Sequence, residues 1–353
     1  MNLLFYFFIF FSFHGLIYGC EPINLKIIQR NQNFEIKICV KNNQKFNDIL
    51  YHVDFNSKDT LINHTLHLTQ LNIGEIESRS FLLLSMVQNF FINKNHIKSL
   101  KKRLFSNMKN TKLIEMSDNL IETIENESFI GLDSLETIYI RRNKLIFIDK
   151  NVFNVLPMLK EIRVSSNQLR NLSFLNDLKH LEIINLNNND LRSIKNDTFS
   201  TVRSLKVLEL QTNKLSQLEE DTLTNLNKLE ILWLGYNEFK SIKINSKLES
   251  LKTLSIIFNK IEILNYSIIE ISHSIEILLL TSNQIKKIET DCFKNLTKLK
   301  RISLQDNLIE DLDSEIFQNQ LILNELNIDR NKLKYLKNFT FCYLKKLVNL
   351  SLI

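Results

Sequence analysis

The residues of this chain that could hold a metal ion or attack a substrate are few and widely spaced. There are four cysteines and seven histidines among 353 residues. No two cysteines form a C-x-x-C pair, and the two closest histidines, His64 and His67, have no thiol or carboxylate at ligand spacing. Structural zinc sites need such ligands grouped at short, characteristic spacings. The sequence therefore predicts no metal site.

Glycines, which nucleotide-binding and catalytic loops require in clusters, are also scarce. The chain has five, and only Gly15 and Gly19 lie within six residues of each other. Phosphate-binding loops, dinucleotide fingerprints and the nucleophile elbow of hydrolases each need two or three closely spaced glycines. No grouping of nucleophile, general base and oxyanion donors is visible either. We therefore expect a protein that is not an enzyme and binds no cofactor.

An asparagine recurs through most of the chain and marks the elements that must position any binding residue. Consecutive members are 24 residues apart, except for two steps of 22. Leucine, isoleucine and phenylalanine keep one register around each member, in the pattern L-x-x-L-x-L-x-x-N-x-L-x-x-L-x-x-x-x-F. We call these residues the ladder asparagines: Asn95, Asn119, Asn143, Asn167, Asn189, Asn213, Asn237, Asn259, Asn283, Asn307 and Asn331.

The pattern around each ladder asparagine predicts the structure of one coil. The L-x-L alternation makes a short strand with one apolar side. One coil cannot bury that side alone, so coils stack and their strands form a parallel sheet around a continuous core. The asparagine can hydrogen-bond backbone groups of adjacent coils, and the complete absence of alanine argues against a helix-rich fold. The repeated residues are therefore assigned to the scaffold.

This pattern resembles the leucine-rich repeat family, in its 24-residue extracellular type, over residues 61–353. Leu71 stands where a first asparagine would fall, so there are about 12 repeats, and Leu347, Leu350 and Leu352 open a further, truncated one. The resemblance implies an α/β horseshoe-shaped solenoid. Its concave side would be a parallel sheet and its convex side irregular or short helical segments.

The repeat is similar to those of arthropod Toll-like and chaoptin-like ectodomains. That resemblance implies non-catalytic protein recognition in innate immunity or cell adhesion, by the ectodomain of a receptor or adhesion protein. A freely secreted binding protein, such as an immune factor or decoy, is the alternative. Because the last coil leaves a strand edge unpaired, we expect either a fragment of a longer protein or a homo-oligomer in which another copy covers the edge.

The outward strand residues, at positions −6, −4, −2 and −1 from each ladder asparagine, are the candidates for binding. In one group, large apolar side chains occupy positions that would face solvent. Exposed apolar surface of this kind marks sites where a partner binds. Local packing across the sheet face is the alternative explanation. We call this group the apolar patch: Trp233, Tyr236, Ile257, Phe258 and Leu279.

A second outward group could hold an acidic part of a partner through guanidinium contacts. We call it the arginine patch, and it consists of Tyr139, Arg141, Arg142 and Arg163. The alternative is that acidic side chains of the protein itself neutralise it, namely Glu115, Asp118 and Glu161.

The first 19 residues predict entry into the secretory pathway. Residues 1–18 are an apolar run too short and too interrupted to make a convincing spanning helix, and Gly19 offers a small residue before Cys20. The run lacks a preceding Lys or Arg, and an uncleaved anchor is the alternative. We predict a signal peptide at 1–19, an N-terminal cap at 20–60 and an extracellular protein, secreted or at the cell surface.

The four cysteines would then lie in an oxidising compartment. Cys20 and Cys39 flank a segment with strand-like alternation at residues 34–40, and we expect them to form a disulfide in the cap. Cys292 and Cys342 lie two repeats apart, about 10 Å along a stack of strands, which exceeds disulfide reach. We predict that these two are buried thiols that fill the core.

Eight glycosylation sequons provide a check on the binding face. Between Asn95 and Asn331 none falls on a strand position, so glycans would leave the sheet open to a partner. Asn349 is the exception, since it lies on a strand. The eight are Asn63, Asn126, Asn171, Asn196, Asn265, Asn295, Asn338 and Asn349.

The net charge of +6 is spread among acidic residues, without any run of five or six Lys or Arg. A nucleic-acid-binding surface needs a clustered basic stripe. We therefore expect a protein or cell-surface partner and no nucleic acid.

Overall fold

The computed structural model describes most of the chain. It gives the backbone of three N-terminal strands and, from residue 65 to residue 352, everything except 77, 79, 82–83, 220, 243–247 and 266–271. The predicted signal peptide and Cys20 lie outside the described residues, so the Cys20–Cys39 disulfide stays a prediction. The chain divides into two compact units, Met1–Gln168 and Leu169–Ile353.

The first unit contains eleven strands among its described residues. Strands β4, β6, β8, β10 and β11 form a parallel sheet in that order, β3, β2, β1 and β5 form a second sheet, and β7 pairs with β9. Their bounds are β1 Ile23–Arg30, β2 Asn33–Asn42, β3 Lys45–Val53, β4 Thr65–His67, β5 Ile73–Ile76, β6 Asn89–Phe91, β7 Ser99–Leu100, β8 Leu113–Glu115, β9 Thr123–Ile124, β10 Thr137–Tyr139 and β11 Glu161–Arg163.

The strand predicted from the alternation at residues 34–40 is confirmed as β2. It pairs antiparallel with both β1 and β3, and β1 in turn pairs parallel with β5. This segment is therefore built on antiparallel hairpins, unlike the parallel coils that follow it in the same unit.

The second unit continues the same coil pattern. Strands β12, β13, β14, β15, β17, β19, β20 and β21 form a parallel sheet in that order, and β16 pairs with β18. The bounds are β12 Ile183–Asn185, β13 Val207–Glu209, β14 Ile231–Trp233, β15 Thr253–Ser255, β16 Ile263–Leu264, β17 Ile277–Leu279, β18 Lys287–Ile288, β19 Arg301–Ser303, β20 Glu325–Asn327 and β21 Asn349–Ser351.

The returning segments of the coils are turns. Among the described residues the one helical element is a single 3-10 turn, Ser173–Leu175, with Phe174 and Leu175 buried. The irregular returns anticipated from the sequence are thus confirmed, and helix contributes almost nothing. β21 lies at the edge of its sheet, and association of two copies through this edge stays a prediction.

The core follows the predicted register. In most sheet strands the middle residue, such as Ile138 or Leu232, is fully buried, while the outer residues are at least partly accessible. Phenylalanines of successive returns stack on one another inside each unit, with ring centroids 5.6 Å apart for Phe105–Phe129 and 5.7 Å apart for Phe293–Phe317. Each unit therefore has the continuous core that stacked coils require.

The ladder asparagines bond adjacent coils as predicted. Asn119 accepts a hydrogen bond at Oδ1 from the amide N–H of Ile97 at 3.1 Å. Its Nδ2 donates to the carbonyl oxygens of Ile92 in the previous coil and Met116 in its own, both at 3.1 Å. Asn119 is 5% exposed. The side chain thus satisfies buried backbone groups that would otherwise lack partners.

The residue before every ladder asparagine has a left-handed backbone, with φ between 50° and 57°. This conformation turns the chain so that the asparagine side chain points back into the stack. Glycine, asparagine and aspartate adopt it most readily, yet the position is occupied by residues as large as Arg142, Tyr236 and Phe258. The fold therefore places one side chain per coil in a costly conformation at the border of the outward face.

One prediction about the core is wrong. Cys292 is buried, which raises the pKa of its thiol, but Cys342 is exposed. Cys292 directly precedes an inward phenylalanine, a position that is also buried at Val152, whereas Cys342 directly follows one, a position that is exposed at Asn154 and Lys294. A shift of two residues along the return thus decides whether the thiol faces the core or solvent.

Candidate functional site

The apolar patch is assembled by three neighbouring strands of the second unit. Trp233 of β14 is in register with Ser255 of β15, and Ser255 is in register with Leu279 of β17. The Ser255 side chain is small, and the residue is 2% exposed. Trp233 and Leu279 are both half-buried and lie two strand spacings apart, about 10 Å. They flank Ser255, which is almost fully buried.

Ile257 packs over Gly235, and this contact completes the patch. A Cβ added at Gly235 would lie 2.7 Å from Cγ1 of Ile257 and 3.3 Å from its carbonyl oxygen. Real Cβ atoms do not come so close to another carbon, so the glycine is required by close packing. The glycine lets Ile257 lie close to the backbone of the neighbouring coil.

Tyr236 and Phe258 stack on each other at the border of the patch. Their ring centroids are 4.3 Å apart and the planes differ by 9°. Both residues have a left-handed backbone, with φ of 55° and 50°, and they are 46% and 45% exposed. The structure therefore places the five predicted residues on neighbouring coils, and the rings of Tyr236 and Phe258 are the most exposed of them.

The arginine patch of the first unit is neutralised by its own carboxylates. Nη2 of Arg142 donates to Oδ2 of Asp118 at 2.7 Å. Arg141 lies 3.4 Å from a Glu115 oxygen, and Nε of Arg163 lies 2.5 Å from Oε1 of Glu161. The alternative left open by the sequence is thus the observed arrangement.

Tyr139 lies between two of these guanidinium groups. The Cζ atoms of Arg141 and Arg163 are 5.3 and 5.5 Å from its ring centroid, within cation–π range. Burial, followed by the charge of Glu161, raises the pKa of the Tyr139 hydroxyl, which therefore stays protonated. Ring, cations and carboxylates together form a closed, charge-balanced cluster.

The charges of Asp118 and Arg142 are reinforced by their contact. The hydrogen bond from Arg142 lowers the pKa of the Asp118 carboxyl, and the same bond raises the pKa of the Arg142 guanidinium. Both groups are therefore ionised across the physiological range. Nε and Nη2 of Arg142 are both engaged by Asp118.

A sequence-family comparison identifies the repeat. A model described as "Leucine rich repeat" matches residues 85–145, 117–169, 133–191, 179–239, 273–319 and 297–352, more than half of the chain. The chain belongs to the leucine-rich repeat family. A search of curated protein sequences finds no match.

Several solved leucine-rich repeat structures share the fold. Drosophila Toll, in its complex with Spatzle, gives a TM-score of 0.65 at 19% identity, covering 93% of this chain and 54% of that one. A leucine-rich repeat protein of Leptospira interrogans gives 0.66 at 24% identity, with 82% and 78% covered. TLR13 in complex with ssRNA13 gives 0.61 at 22% identity, with 81% and 50% covered. The chain thus spans about half of the Toll and TLR13 chains.

The leucine-rich repeats also carry a charged row that the sequence reasoning missed. Seven residues before successive ladder asparagines, lysine and glutamate alternate, and facing pairs lie 2.7 to 2.9 Å apart, as in Lys160–Glu136 and Lys252–Glu230. Alternation at this fixed offset was readable from the sequence. The row runs Lys112, Glu136 and Lys160 in the first unit and Glu182, Lys206, Glu230, Lys252, Glu276 and Lys300 in the second.

A hydrogen-bonded polar network next to the apolar patch was also not predicted from the sequence. Nδ2 of Asn185 and Nδ2 of Asn187 donate to Oε2 of Glu209 at 2.5 and 2.8 Å, and the amide N–H of Gln211 donates to Oδ1 of Asn187 at 2.7 Å. Asn185 and Glu209 are each 8% exposed. These residues occupy outward strand positions, and they cover one another.

Seven of the eight sequon asparagines lie within the described residues. Five of these seven are exposed, and Asn265 and Asn295 are half-buried. Asn63 lies outside the described residues. The exposed ones are Asn126, Asn171, Asn196, Asn338 and Asn349.

Over the residues that the structure describes, no helix is both long and apolar enough to cross a membrane. Within the same residues, no group of three or more His, Cys, Asp or Glu side chains could hold a metal ion.

Proposed function

We propose that this leucine-rich repeat chain is a protein-recognition module that binds its partner through the apolar patch. The observation that carries the proposal is the exposed Tyr236–Phe258 stack beside Trp233. Tryptophan and tyrosine are enriched among the residues that dominate binding energy. Large exposed apolar areas on folded proteins mark places where another molecule covers them.

Energetics favour binding over packing as the reason for this stack. A left-handed backbone costs an ordinary residue roughly 1–2 kcal/mol, so Tyr236 and Phe258 together cost about 2–4 kcal/mol. Stacking of two rings returns only about 0.5–1.5 kcal/mol. Asparagine or aspartate at these two positions would be cheaper, as at Asn188 and Asp306 in the same register. Stability alone therefore does not select the aromatic residues.

Several observations support a protein rather than a nucleic acid as the partner. The arginines beside the apolar patch are paired, Arg301 with Glu325 and Arg330 with Asp306, whereas nucleic-acid binding depends on cations that neutralise phosphates. Toll is seen in complex with Spatzle, which shows a protein bound to this fold. TLR13 is seen with an RNA, so the fold by itself does not decide the partner class. The apolar character of the patch supports a protein partner.

We also propose that the protein is the extracellular part of a receptor or adhesion protein. The proposal rests on the signal-like residues 1–19, a cap at 20–60, repeats from residue 61 and exposed sequons such as Asn126 and Asn196. Expression in a cultured animal cell line should deliver protein to the medium or cell surface, starting at Cys20 and carrying N-glycans. An intracellular product that retains Met1 and gains no glycans would contradict it.

The binding proposal is tested by removing the aromatic residues. The wild-type protein captures partners from extracellular fluid or cell surfaces, and the affinity of each captured protein is then measured by surface plasmon resonance. We expect Trp233→Ala with Phe258→Ala to weaken binding at least 100-fold, since each hot-spot truncation costs ~2 kcal/mol or more, while the Tm stays nearly unchanged.

A matched control is available in the first unit. Ile146 and Phe147 are 47% and 49% exposed but lie off the sheet face, and changing both to alanine should leave the affinity unchanged. Equal affinities of the wild type and the Trp233/Phe258 double variant, together with a large fall in Tm, would show that the apolar patch is packing and overturn the proposal.

A further inference from the structure

A row of mostly apolar residues crosses the parallel sheet of the second unit. Each member is the first residue of its strand, and neighbours are paired in register through β12, β13, β14, β15 and β17. All five residues are half-buried, so each keeps some surface open to solvent. We call this row the apolar stripe: Ile183, Val207, Ile231, Thr253 and Ile277.

The apolar stripe adjoins the apolar patch and ends at a charge. Ile231 begins the strand that contains Trp233, and Ile277 begins the strand that contains Leu279. The next strand, β19, begins with Arg301, which is in register with Ile277 and exposed. The stripe is therefore a bounded surface that extends the patch toward the starts of the strands.

Two-residue turns precede the same strands and carry exposed cations. Each turn ends three residues before the strand begins. Within the described part of the second unit, no carboxylate forms an ion pair with these cations, and Glu249 is the one acidic residue in the turns before β12, β13, β14, β15, β17 and β19. We call these cations the basic turns: Lys179, Arg203, Lys228 and Lys298.

The charged row between the apolar stripe and the basic turns balances itself. Its lysines and glutamates form successive pairs, as in Lys206–Glu182 at 2.7 Å and Lys252–Glu230 at 2.8 Å. This row adds no net charge to the border of the sheet. The unpaired cations of the basic turns therefore make that border positive.

We propose that the apolar stripe and the basic turns bind an amphipathic helix of the protein partner that carries acidic residues along one flank; the inference deepens the proposed function and rests on it. The helix lies across the strands with its apolar face on the stripe. Its acidic flank faces the basic turns, and its other flank faces the apolar patch. Complementary charge thus fixes which way round the helix lies.

The spacing of the strands favours a helix over an extended segment. Five strands about 4.8 Å apart make the stripe about 19 Å long. A helix presents an apolar side chain about every 5.4 Å, so it drifts out of step by only about 2.4 Å over that length. An extended segment presents one about every 6.7 Å and drifts by more than about 7 Å. About 13 helical residues at about 1.5 Å each cover the stripe.

The first unit lacks both parts of this site. The turns before β6, β8, β10 and β11 contain one cation, Lys109, and one anion, Asp133. The first residues of its parallel sheet strands are polar except for one leucine, and they are Thr65, Asn89, Leu113, Thr137 and Glu161. The apolar stripe and the basic turns therefore occur together, on the same coils of the second unit, which supports one site for both.

The test uses a lactam-stapled helical peptide of about 15 residues on the whole protein, with leucine along one face and glutamate along one flank. Its counterpart has lysine in place of glutamate. Neither contains tryptophan, so the emission of Trp233, the only tryptophan, reports binding. At low salt the glutamate peptide should bind at least about tenfold tighter than the lysine peptide, and about 0.5 M salt should shrink that ratio. Equal affinities, a preference for lysine or no binding would overturn the inference.

Val207→Glu tests the apolar stripe on a strand that holds no residue of the apolar patch. It should weaken the glutamate peptide at least about tenfold, because a carboxylate would be covered by apolar side chains. A charge is compatible with the fold at this register, since Glu161 and Arg301 begin β11 and β19. Thr137→Glu makes the matched change in the first unit and should leave the affinity within about twofold.

Arg203→Glu with Lys228→Glu tests the basic turns. The double change should reverse the preference, so that the lysine peptide binds more tightly. Lys109→Glu, in a corresponding turn of the first unit, is the matched control and should keep the preference for glutamate. A preference that survives the double change, or an unchanged affinity in Val207→Glu, would show that this site does not hold the helix.

Two other occupants would give different results. A single-stranded RNA that displaces the glutamate peptide and needs Arg203 and Lys228 would assign the basic turns to a nucleic acid. Self-association in sedimentation that Val207→Glu abolishes would assign the apolar stripe to a second copy. Either result would overturn the inference.

Failure of this inference is distinguishable from failure of the proposed function. If the captured partner depends on Trp233 but not on Val207, Arg203 or Lys228, the apolar patch binds and the helix site is wrong. If the glutamate peptide binds as expected but the Trp233/Phe258 double variant keeps its partner, the proposed function is wrong.

Discussion

The two outward patches are built from similar residues but end in opposite states. In the arginine patch of the first unit, the ring of Tyr139 lies between Arg141 and Arg163, and each cation has a carboxylate of the same unit. In the apolar patch of the second unit, Tyr236 and Phe258 stack on each other and stay exposed. Aromatic residues on a sheet face are thus a surface feature whose meaning depends on what the neighbouring coils supply.

The number of charged residues is therefore a poor guide to a binding face in this protein. In the region richest in arginine, Asp118 pairs with Arg142, and Glu115 and Glu161 pair with Arg141 and Arg163, so the positive charge is balanced within the unit. The region with the fewest charges is the one where covering the surface would release the most water from apolar groups.

The largest effect is expected from the ladder asparagine beneath each patch. Asn143→Ala and Asn237→Ala each remove bonds to three carbonyl oxygens and to one amide N–H. Each should lower the free energy of unfolding in urea by about 3 kcal/mol, because buried groups lose their partners. The exposed control Asn154→Ala should cost less than about 0.5 kcal/mol. A large loss in only one unit would mean that the scaffolds differ, not just the surfaces.

The next effect is expected at Gly235. Gly235→Ala pushes Ile257 away from its contact and should cost about 1–2 kcal/mol of unfolding free energy through overpacking. Trp233 is the only tryptophan, so a shift of its emission reports the disturbance of the apolar patch. Ser165→Ala, at the same register in the first unit, should change stability by less than about 0.5 kcal/mol. An unchanged Trp233 spectrum in Gly235→Ala would contradict the packing described here.

A smaller effect separates the two sets of aromatic residues. Tyr139→Ala removes a ring held by two cations and should cost about 1–2 kcal/mol, at about 0.5–1 kcal/mol per contact. Tyr236→Asn with Phe258→Asn loses the stack but relieves the left-handed backbone, so stability should stay within about 1 kcal/mol of wild type. Urea unfolding measures both. A loss larger than that of Tyr139→Ala would show that the exposed stack serves packing.

The smallest effect is the acid response of the arginine patch. Arg142 lowers the pKa of Asp118 in the folded protein, so the pair stabilises the fold above the usual carboxyl pKa near 3.8 and this contribution is lost as the pH falls below it. Because the pair is largely exposed, we expect only a few tenths of a kcal/mol. The difference in unfolding free energy between wild type and Asp118→Asn should therefore shrink between pH 6 and pH 3. A difference that grows on acidification would contradict the assigned pairing.

The repeats could be predicted from the sequence because one register serves every coil. The inward leucines and isoleucines, the stacked phenylalanines and the ladder asparagines each perform one task at one offset, so eleven repetitions outweigh any local ambiguity. Cys342 shows the limit of the approach. Whether the Cys342 side chain is buried or exposed depends on an offset of two residues in a return segment. No alternation in that segment constrains which side chains face the core.

The state of the outward residues could not be predicted, because it depends on contacts between coils about 24 residues apart. Arg142 and Asp118, Tyr236 and Phe258, and the alternating Lys160 and Glu136 are distant in sequence and adjacent in the stack. The sequence placed the first two pairs at outward positions. It did not indicate whether neighbours would neutralise, cover or expose one another.

The sequence alone thus determined the family, the coil and the identity of its scaffold residues, because a short strand with one apolar side can be buried only by stacking. The tertiary structure decided which outward charged side chains pair within the protein and which aromatic rings remain exposed. Pairing requires side chains of successive coils to meet at about 4.8 Å with matching length and charge, and that geometry exists only after the coils have stacked.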